Sequence, residues 1–501
     1  MLATAQTFTL DGIEARPVRV EVDVHRGLPA FSVVGLPDAA VREARERVRA
    51  ALTNCGFEFP LQRIVANLAP ASLRKAGPGM DLAIAAALLS ASGQMRWAEE
   101  GRDVAIVGEL ALDGSVRAVS GCLAIAEAAA RGGADAIVVP AANGPEAALA
   151  GALDVIPISS VDELPAIAIG ELAPARPEPL ALAAEPTVVG PDLADLRGRR
   201  QRHLRHALEV AAAGAHSLLM VGPPGAGKSL AASRLPSILP PLHDDEALEV
   251  ARIASACGRL GEGARGGRPF RSPHHTISPA GLIGGGTPPS PGEATLAHRG
   301  VLFLDELCEF RRDALEALRA PIEAGWVSIA RSGSWQRLPC RFMLVAAANP
   351  CPCGRGESDA ECSCAPLAAS RYRARLSGAL ADRIDVLVAV RQPSAAEIGG
   401  EPGEPSVAVR ERVALARERQ NRRLGAGRAN AELTPAEARE SKLSDEAEAL
   451  LADAYARRKL SGRAHDRALR LARTVADLAG VEKIGREEMA QALQLRRRDY
   501  E

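Results

Sequence analysis

The chain has 501 residues, too many for a single hydrophobic core, so two or three domains are expected. With 47% hydrophobic and 25% charged residues it has the make-up of an ordinary globular protein, and a formal net charge of −1 excludes a global basic field, so any nucleic-acid binding has to come from local patches. No apolar run reaches the ~18 residues of a membrane helix and no charged-then-apolar leader opens the chain, so no membrane partner and a cytoplasmic setting with nine reduced cysteines are expected. Arginine far outnumbers lysine, which occurs only at 75, 228, 442, 459 and 483, a bias in keeping with a GC-rich genome.

Residues 1–170 read as one α/β domain. Val18 to Val24 alternates as a strand does, and Asp38 is placed to cap a helix with Val41, Ala44, Val48, Ala51 and Leu52 on one face. Gly56 sits where that helix should stop. A very apolar helix runs from Asp81 to Leu89 and ends at Gly93. Short buried strands at Val104–Val107 and Ala136–Val139 flank a helix over roughly Cys122–Ala130. Residues 171–198, with prolines at 174, 177, 179, 186 and 191, read as an extended linker.

A second α/β region spans 199–392. Its lead-in helix, Leu204–Ala213, precedes a buried strand, Ser217–Val221, that runs into Gly222-Pro223-Pro224-Gly225-Ala226-Gly227-Lys228-Ser229. This fits G-x-x-x-x-G-K-[ST], the loop that cradles phosphates. Its glycines let successive N–H groups face phosphate oxygens, and the helix opening near Lys228 adds the positive end of its dipole. Lys228 supplies a point charge to the β/γ-phosphates and Ser229 a hydroxyl for Mg²⁺. The apolar strand Val301–Leu304 ends in Asp305 and Glu306, the first suited to holding Mg²⁺ and the second to polarising the attacking water. Together these two motifs predict ATP binding and hydrolysis.

Between them lies Arg268-Pro-Phe-Arg-Ser-Pro-His274-His275-Thr-Ile-Ser, followed by Gly284-Gly-Gly286. No third ligand is spaced to make the histidines a metal site, and the insert reads as a loop beside the nucleotide or in a pore. Val327 to Arg337 carries a hairpin signature with its turn at Ser332-Gly333-Ser334, which puts Arg331 and Trp335 near the tip as candidate DNA contacts. A strand over Phe342–Ala346 then leads to Asn349, placed to orient the hydrolytic water. Cys351-x-Cys353 and Cys362-x-Cys364, eight residues apart, form a four-thiol set that suits tetrahedral zinc, free thiols being the alternative. The other five cysteines read as core or loop residues. Residues 393–501 form a helical segment in which Arg410 to Arg428 holds seven arginines and two glutamates, a solvated face or a DNA-backbone contact.

The P-loop, the Asp-Glu strand, the Ser-Pro-His-His insert and Asn349-Pro-Cys-Pro-Cys-Gly354 resemble the magnesium-chelatase-like branch of the AAA+ ATPases. Within it, Gly35-Leu-Pro-Asp38, Asn67-Leu-Ala-Pro70, Ser461-Gly-Arg463 and Ala472 to Asp477 extend the resemblance to the ComM/YifB family over nearly the whole chain. The resemblance implies a hexameric ring, driven by ATP and Mg²⁺, that moves on single-stranded or branched DNA. It further implies branch migration in recombination during natural transformation, alongside recombination proteins. By position, Arg383 in Ala381-Asp-Arg-Ile-Asp385 resembles an arginine finger and Arg463 the second sensor of a C-terminal helical lid, 393–501. Ala379 and Ala381 depart from the proline and leucine usual before that finger.

The leading domain resembles the Lon-type protease domain, which raises an ATP-dependent protease as a rival. Gly79 stands where the nucleophilic serine would be, and no lysine lies between Lys75 and Lys228 to activate one. A magnesium-chelatase motor subunit is the second rival, disfavoured here because that motor does not need the leading domain. An ATP-gated scaffold is the third, weakened by Glu306, Asn349 and Arg383 occurring together.

Overall fold

The computed structural model describes residues 1–97, 103–151, 153–171, 177–182, 191–260, 267–286, 290–331, 334–356, 362–376, 380–458 and 461–496. They form two compact units, one of residues 1–182, 251–265 and 287–290, the other of residues 183–250, 266–286 and 291–501. Both are α/β, as the sequence predicts.

The first unit is built on a seven-stranded mixed sheet in the order Ala30–Val34, Arg63–Ala69, Glu14–His25, Leu2–Asp11, Val104–Ile106, Ala136–Pro140, Asp154–Ile158. The predicted helix is Ala39–Asn54, capped by Asp38, whose carboxylate accepts the Val41 N–H at 2.8 Å. Its five predicted face residues are all buried, and Gly56 follows the end with a φ of +83°. Helices Asp81–Ala91 and Cys122–Arg131 also lie where expected. Asp81 is buried and takes two bonds from Arg47, at 2.6 and 2.9 Å, which pull its carboxyl down against the stronger upward push of desolvation. The spot where a Gly79 side chain would sit is faced by Val107 and Val119, and Lys75 is fully buried, donating to the Pro70 carbonyl.

The second unit centres on a five-stranded parallel sheet in the order Phe270–Arg271, Val301–Leu304, Met343–Ala348, Leu218–Val221, Val386–Ala389. Its inner strands are continuous apolar runs, as strands covered on both faces must be. Because every strand points the same way, the residues after Val221, Leu304 and Ala348 emerge along one edge. That topology alone brings the P-loop, Asp305-Glu306 and Asn349 together. The lead-in helix spans Arg202–Gly214 and turns out through Ala215 rather than a glycine. Gly214 is needed for packing: a Cβ there would lie 2.2 Å from the His216 ring. His216 itself is buried between Asp385 and Thr474, at 3.2 and 2.7 Å.

The helices Ser406–Leu424, Pro435–Arg439, Asp445–Arg458, Gly462–Ala479 and Arg486–Gln494 make up most of the C-terminal segment. Their polar hub is Asp477, which accepts from Arg423, Arg473 and Asn430. Among the described residues, no helix is long and apolar enough to cross a membrane.

Candidate functional site

The P-loop leaves its strand at Gly222, where a Cβ would fall 2.3 Å from the Val390 carbonyl oxygen, so only glycine fits. Gly225 and Gly227 take φ values of +73° and +90°, the left-handed turn that aims backbone N–H groups inward. Lys228 opens the helix Lys228–Ile238 and is nearly buried. Its ammonium donates to the carbonyls of Gly222 and Pro223, at 2.6 and 2.9 Å, and to Asn349 Oδ1 at 3.1 Å. Burial lowers its pKa, while Asp305 and Glu306 act to raise it. Ala226 is buried, and Gln201 reaches over to donate to its carbonyl at 3.2 Å.

The Ser229 hydroxyl donates to Asp305 Oδ2 at 2.6 Å, so a hydroxyl and a carboxylate oxygen share one point at the strand ends. Hard oxygen donors of this kind fit Mg²⁺, which takes one or two carboxylates and completes its shell with phosphates and water. Glu306 follows in the left-handed region at φ +52°, rare for a residue with a side chain, and its N–H donates to Asp305 Oδ1 at 2.9 Å. Its carboxylate lies 3.4 Å from His275 Nδ1, and the His275 ring packs against His274, with centroids 4.1 Å apart. The insert thus lies at the sheet edge that carries the P-loop, and its contact with Glu306 is the feature that sequence reasoning missed. The available signal was its position directly after Phe270–Arg271, the strand paired with Val301–Leu304.

Past Asn349, the chain turns through Gly354 and Gly356, at φ +86° and +94°. The turn gathers Cys351, Cys353, Cys362 and Cys364 with their sulfurs all within 4.8 Å of one another. Backbone N–H donors, led by that of Arg355, hold the Cys353 thiol down at about 6.

Arg383 and Arg463 lie elsewhere. Both line a cavity of about 590 Å³ whose wall includes Ser217, Gly300, Met343 and Asp385, at the starts of four strands and hence at the edge opposite the P-loop. Arg417, Arg467 and Arg470 line it too, and burial holds the Arg417 guanidinium down at about 10. Arg383 pairs with Glu323 at 2.8 Å, whereas Arg463 is exposed at the start of its helix.

The hairpin is present as Trp326–Arg331 paired with Ser334–Pro339, so Ser334 belongs to a strand rather than the turn. Arg331 pairs with Ser334 and Ala330 with Trp335 next to the tip; the side chains of Arg331 and Trp335 lie outside the described residues. At the hairpin base, Arg337 stacks on Trp326 at 3.9 Å.

Most arginines of the 410–428 run are tied to other groups of the second unit, while Arg422, beside Glu418, stays largely exposed on a solvated face. Arg412 pairs with Glu209 and Glu404, Arg423 with Asp477, and Arg428 with Glu437. Arg410, Arg417 and Arg419 donate to the carbonyls of Ser237, Ala212 and Asp477.

Comparison with known proteins agrees with this geometry. Residues 192–398 match a family model described as magnesium chelatase, subunit ChlI; residues 20–143 match subunit ChlI of Mg-chelatase, and residues 403–496 its C-terminal part. The chain is 44% identical over 501 residues to an uncharacterized protein of Mycobacterium tuberculosis, covering 99% of this chain and 98% of that one. It is 40% identical over 499 residues to YifB of Escherichia coli, covering 99% and 97%. To the competence protein ComM of Haemophilus influenzae it is 40% identical over 495 residues, covering 96% and 95%. A phosphate-cradling loop, a paired hydroxyl and carboxylate and a following acidic residue, set on this sheet and matched along nearly the full length, carry the assignment: the chain belongs to the ComM/YifB family of magnesium-chelatase-like AAA+ proteins, a family that uses ATP and Mg²⁺.

Proposed function

We propose that the protein is an ATP-hydrolysing ring motor that acts on DNA, a helicase driving branch migration in recombination during natural transformation. In this reading Gly222 to Ser229 cradle the phosphates and Lys228 neutralises the β/γ charge. Ser229 and Asp305 would hold Mg²⁺, which would supply positive charge to offset that of the phosphates. Glu306 polarises the attacking water with His275 steadying its carboxylate, and Asn349 orients that water. Zn²⁺ at the four thiols completes the cofactor set.

The observation that carries the ring is the separation of the two halves of the site. A four-residue parallel strand, Leu218–Val221, lies between the cavity with Arg383 and Arg463 and the P-loop, about 13 Å at ~3.3 Å per residue. Those arginines therefore serve a neighbouring copy's nucleotide, which makes a closed homo-oligomer, read as a hexamer, the working form. This also reassigns Arg463: it acts as a sensor across the interface and not as a lid over its own ATP.

Action on DNA is supported by the full-length similarity to a protein named for competence and by the hairpin that sets Arg331 and Trp335 beside its tip. The chelatase rival is not dismissed by the leading domain, because residues 20–143 themselves match a chelatase-subunit model. The protease rival is opposed by Gly79 and by the burial of Lys75.

Arg331→Ala is expected to bind nucleotide normally while losing DNA-stimulated hydrolysis. The slope of log affinity against log salt should shrink by about 1 for each phosphate the arginine contacts. Trp335→Ala should cost ~1–3 kcal/mol per stacked base. DNA titrations at several salt concentrations are the check, and an unchanged slope in Arg331→Ala removes the hairpin from the DNA path.

A further inference from the structure

We propose that Cys351, Cys353, Cys362 and Cys364 bind one Zn²⁺ and that this knuckle braces the nucleotide edge, holding the P-loop and Asn349 in register. The inference rests on reading the P-loop edge as the ATP site.

The sulfur geometry suits the metal. A tetrahedral site with Zn–S bonds of ~2.3 Å places its sulfurs about 3.8 Å apart. The Cys351 sulfur lies 3.3 Å from that of Cys353 and 3.9 Å from that of Cys362, and Cys353 lies 3.6 Å from Cys362. These separations far exceed the ~2.05 Å of a disulfide. All four cysteines are free thiols. The Gly356 N–H donates to Cys351 Sγ at 3.2 Å and the Cys353 N–H to Cys364 Sγ at 3.3 Å, contacts that fix the direction of the ligating sulfurs. The tight C-x-C spacing is accommodated because left-handed turns at Gly354 and Gly356 swing the chain back on itself.

The bracing follows from where the knuckle touches. Gly354 packs so closely on the P-loop that a Cβ would sit 2.6 Å from Pro224 Cδ. Asn349, two residues before the first thiol, holds Lys228 at 3.1 Å. The metal therefore cross-links a loop pinned to two parts of the phosphate-binding edge. Without it the loop is free to shift, and a displacement of ~1 Å at a reacting centre costs about 10²-fold in rate.

The test uses the full-length chain purified without chelator or metal column. Elemental analysis should give one zinc per chain, falling to near zero in Cys362→Ser and Cys364→Ser. Those variants should also lose about 10²-fold in ATP turnover. Releasing the zinc from folded wild-type protein with a thiol-modifying mercurial introduces no substitution, so it should weaken binding of a fluorescent ATP analogue, which tests the brace even if the serine variants misfold. Wild-type protein with only a trace of zinc and four readily titratable thiols overturns the metal site. Unchanged nucleotide binding after the zinc has been released overturns the brace. Wild type that holds zinc but binds no ATP contradicts the nucleotide reading instead, and the brace falls with it.

Discussion

Arg383→Ala is expected to bind ATP as the parent does and to hydrolyse it ~10³–10⁵-fold more slowly, the range by which an arginine finger in trans accelerates phosphoryl transfer. The residue sits at the start of the sheet, across from its own P-loop, and its Nη2 bonds Glu323, which is more than half exposed. Two controls separate a finger from a structural ion pair. Glu323→Gln removes the partner but leaves the guanidinium, so it should keep most of the activity; a loss equal to that of Arg383→Ala would make the pair structural. Mixing Arg383→Ala with Lys228→Ala chains should restore part of the activity, since each mixed interface can join an intact P-loop to an intact Arg383. Mixtures as inactive as both parents would contradict the shared site.

Glu306→Gln is expected to retain ATP and Mg²⁺ binding while hydrolysis falls ~10²–10⁴-fold, the contribution of a positioned general base. The amide keeps the size of the side chain and loses the charge that polarises water. Asp305, which meets Ser229 at 2.6 Å, is untouched, so metal binding is preserved. His275→Ala should give a milder version: a lower kcat with an unchanged KM for ATP, because the ring meets the Glu306 carboxylate rather than the phosphate cradle. Steady-state kinetics with separately measured nucleotide affinity distinguish these outcomes. Weak ATP binding in Glu306→Gln would mean that the residue shapes the pocket and does not act on water.

What the sequence made legible is what local pattern and parallel topology control. The helix capped by Asp38 was readable because the capping residue and five face positions lie within one short segment. The convergence of Gly222, Asp305 and Asn349 was readable because each follows an apolar strand, and parallel strands put their ends along one edge. The strand Leu2–Asp11 escaped notice because it carries Ala3, Ala5, Thr7 and Thr9 where larger apolar residues would give a clear alternation. The ion pairs of Arg412 and Arg423 with Glu209 and Asp477 were not legible because those partners are far away in the chain and no local pattern announces them. Arg463 was assigned to a lid by likeness to a motif. Its place in the cavity with Arg383 depends on how the helix Gly462–Ala479 packs, which side-chain spacing does not encode. The same holds for His275, whose role comes from the loop that folds it onto Glu306.

The most direct measurement of the central proposal is ATP hydrolysis by the wild-type protein at low salt, without DNA and with single strands, duplexes, forks and four-way junctions. Displacement of labelled strands is followed in the same reactions. Hydrolysis stimulated by single-stranded or branched DNA, together with ATP-dependent displacement from forks or junctions, is the expected result. Hydrolysis indifferent to every DNA and no strand displaced, with activity rising only when a porphyrin-binding partner is added, would contradict the DNA motor and assign the chain to chelatase chemistry.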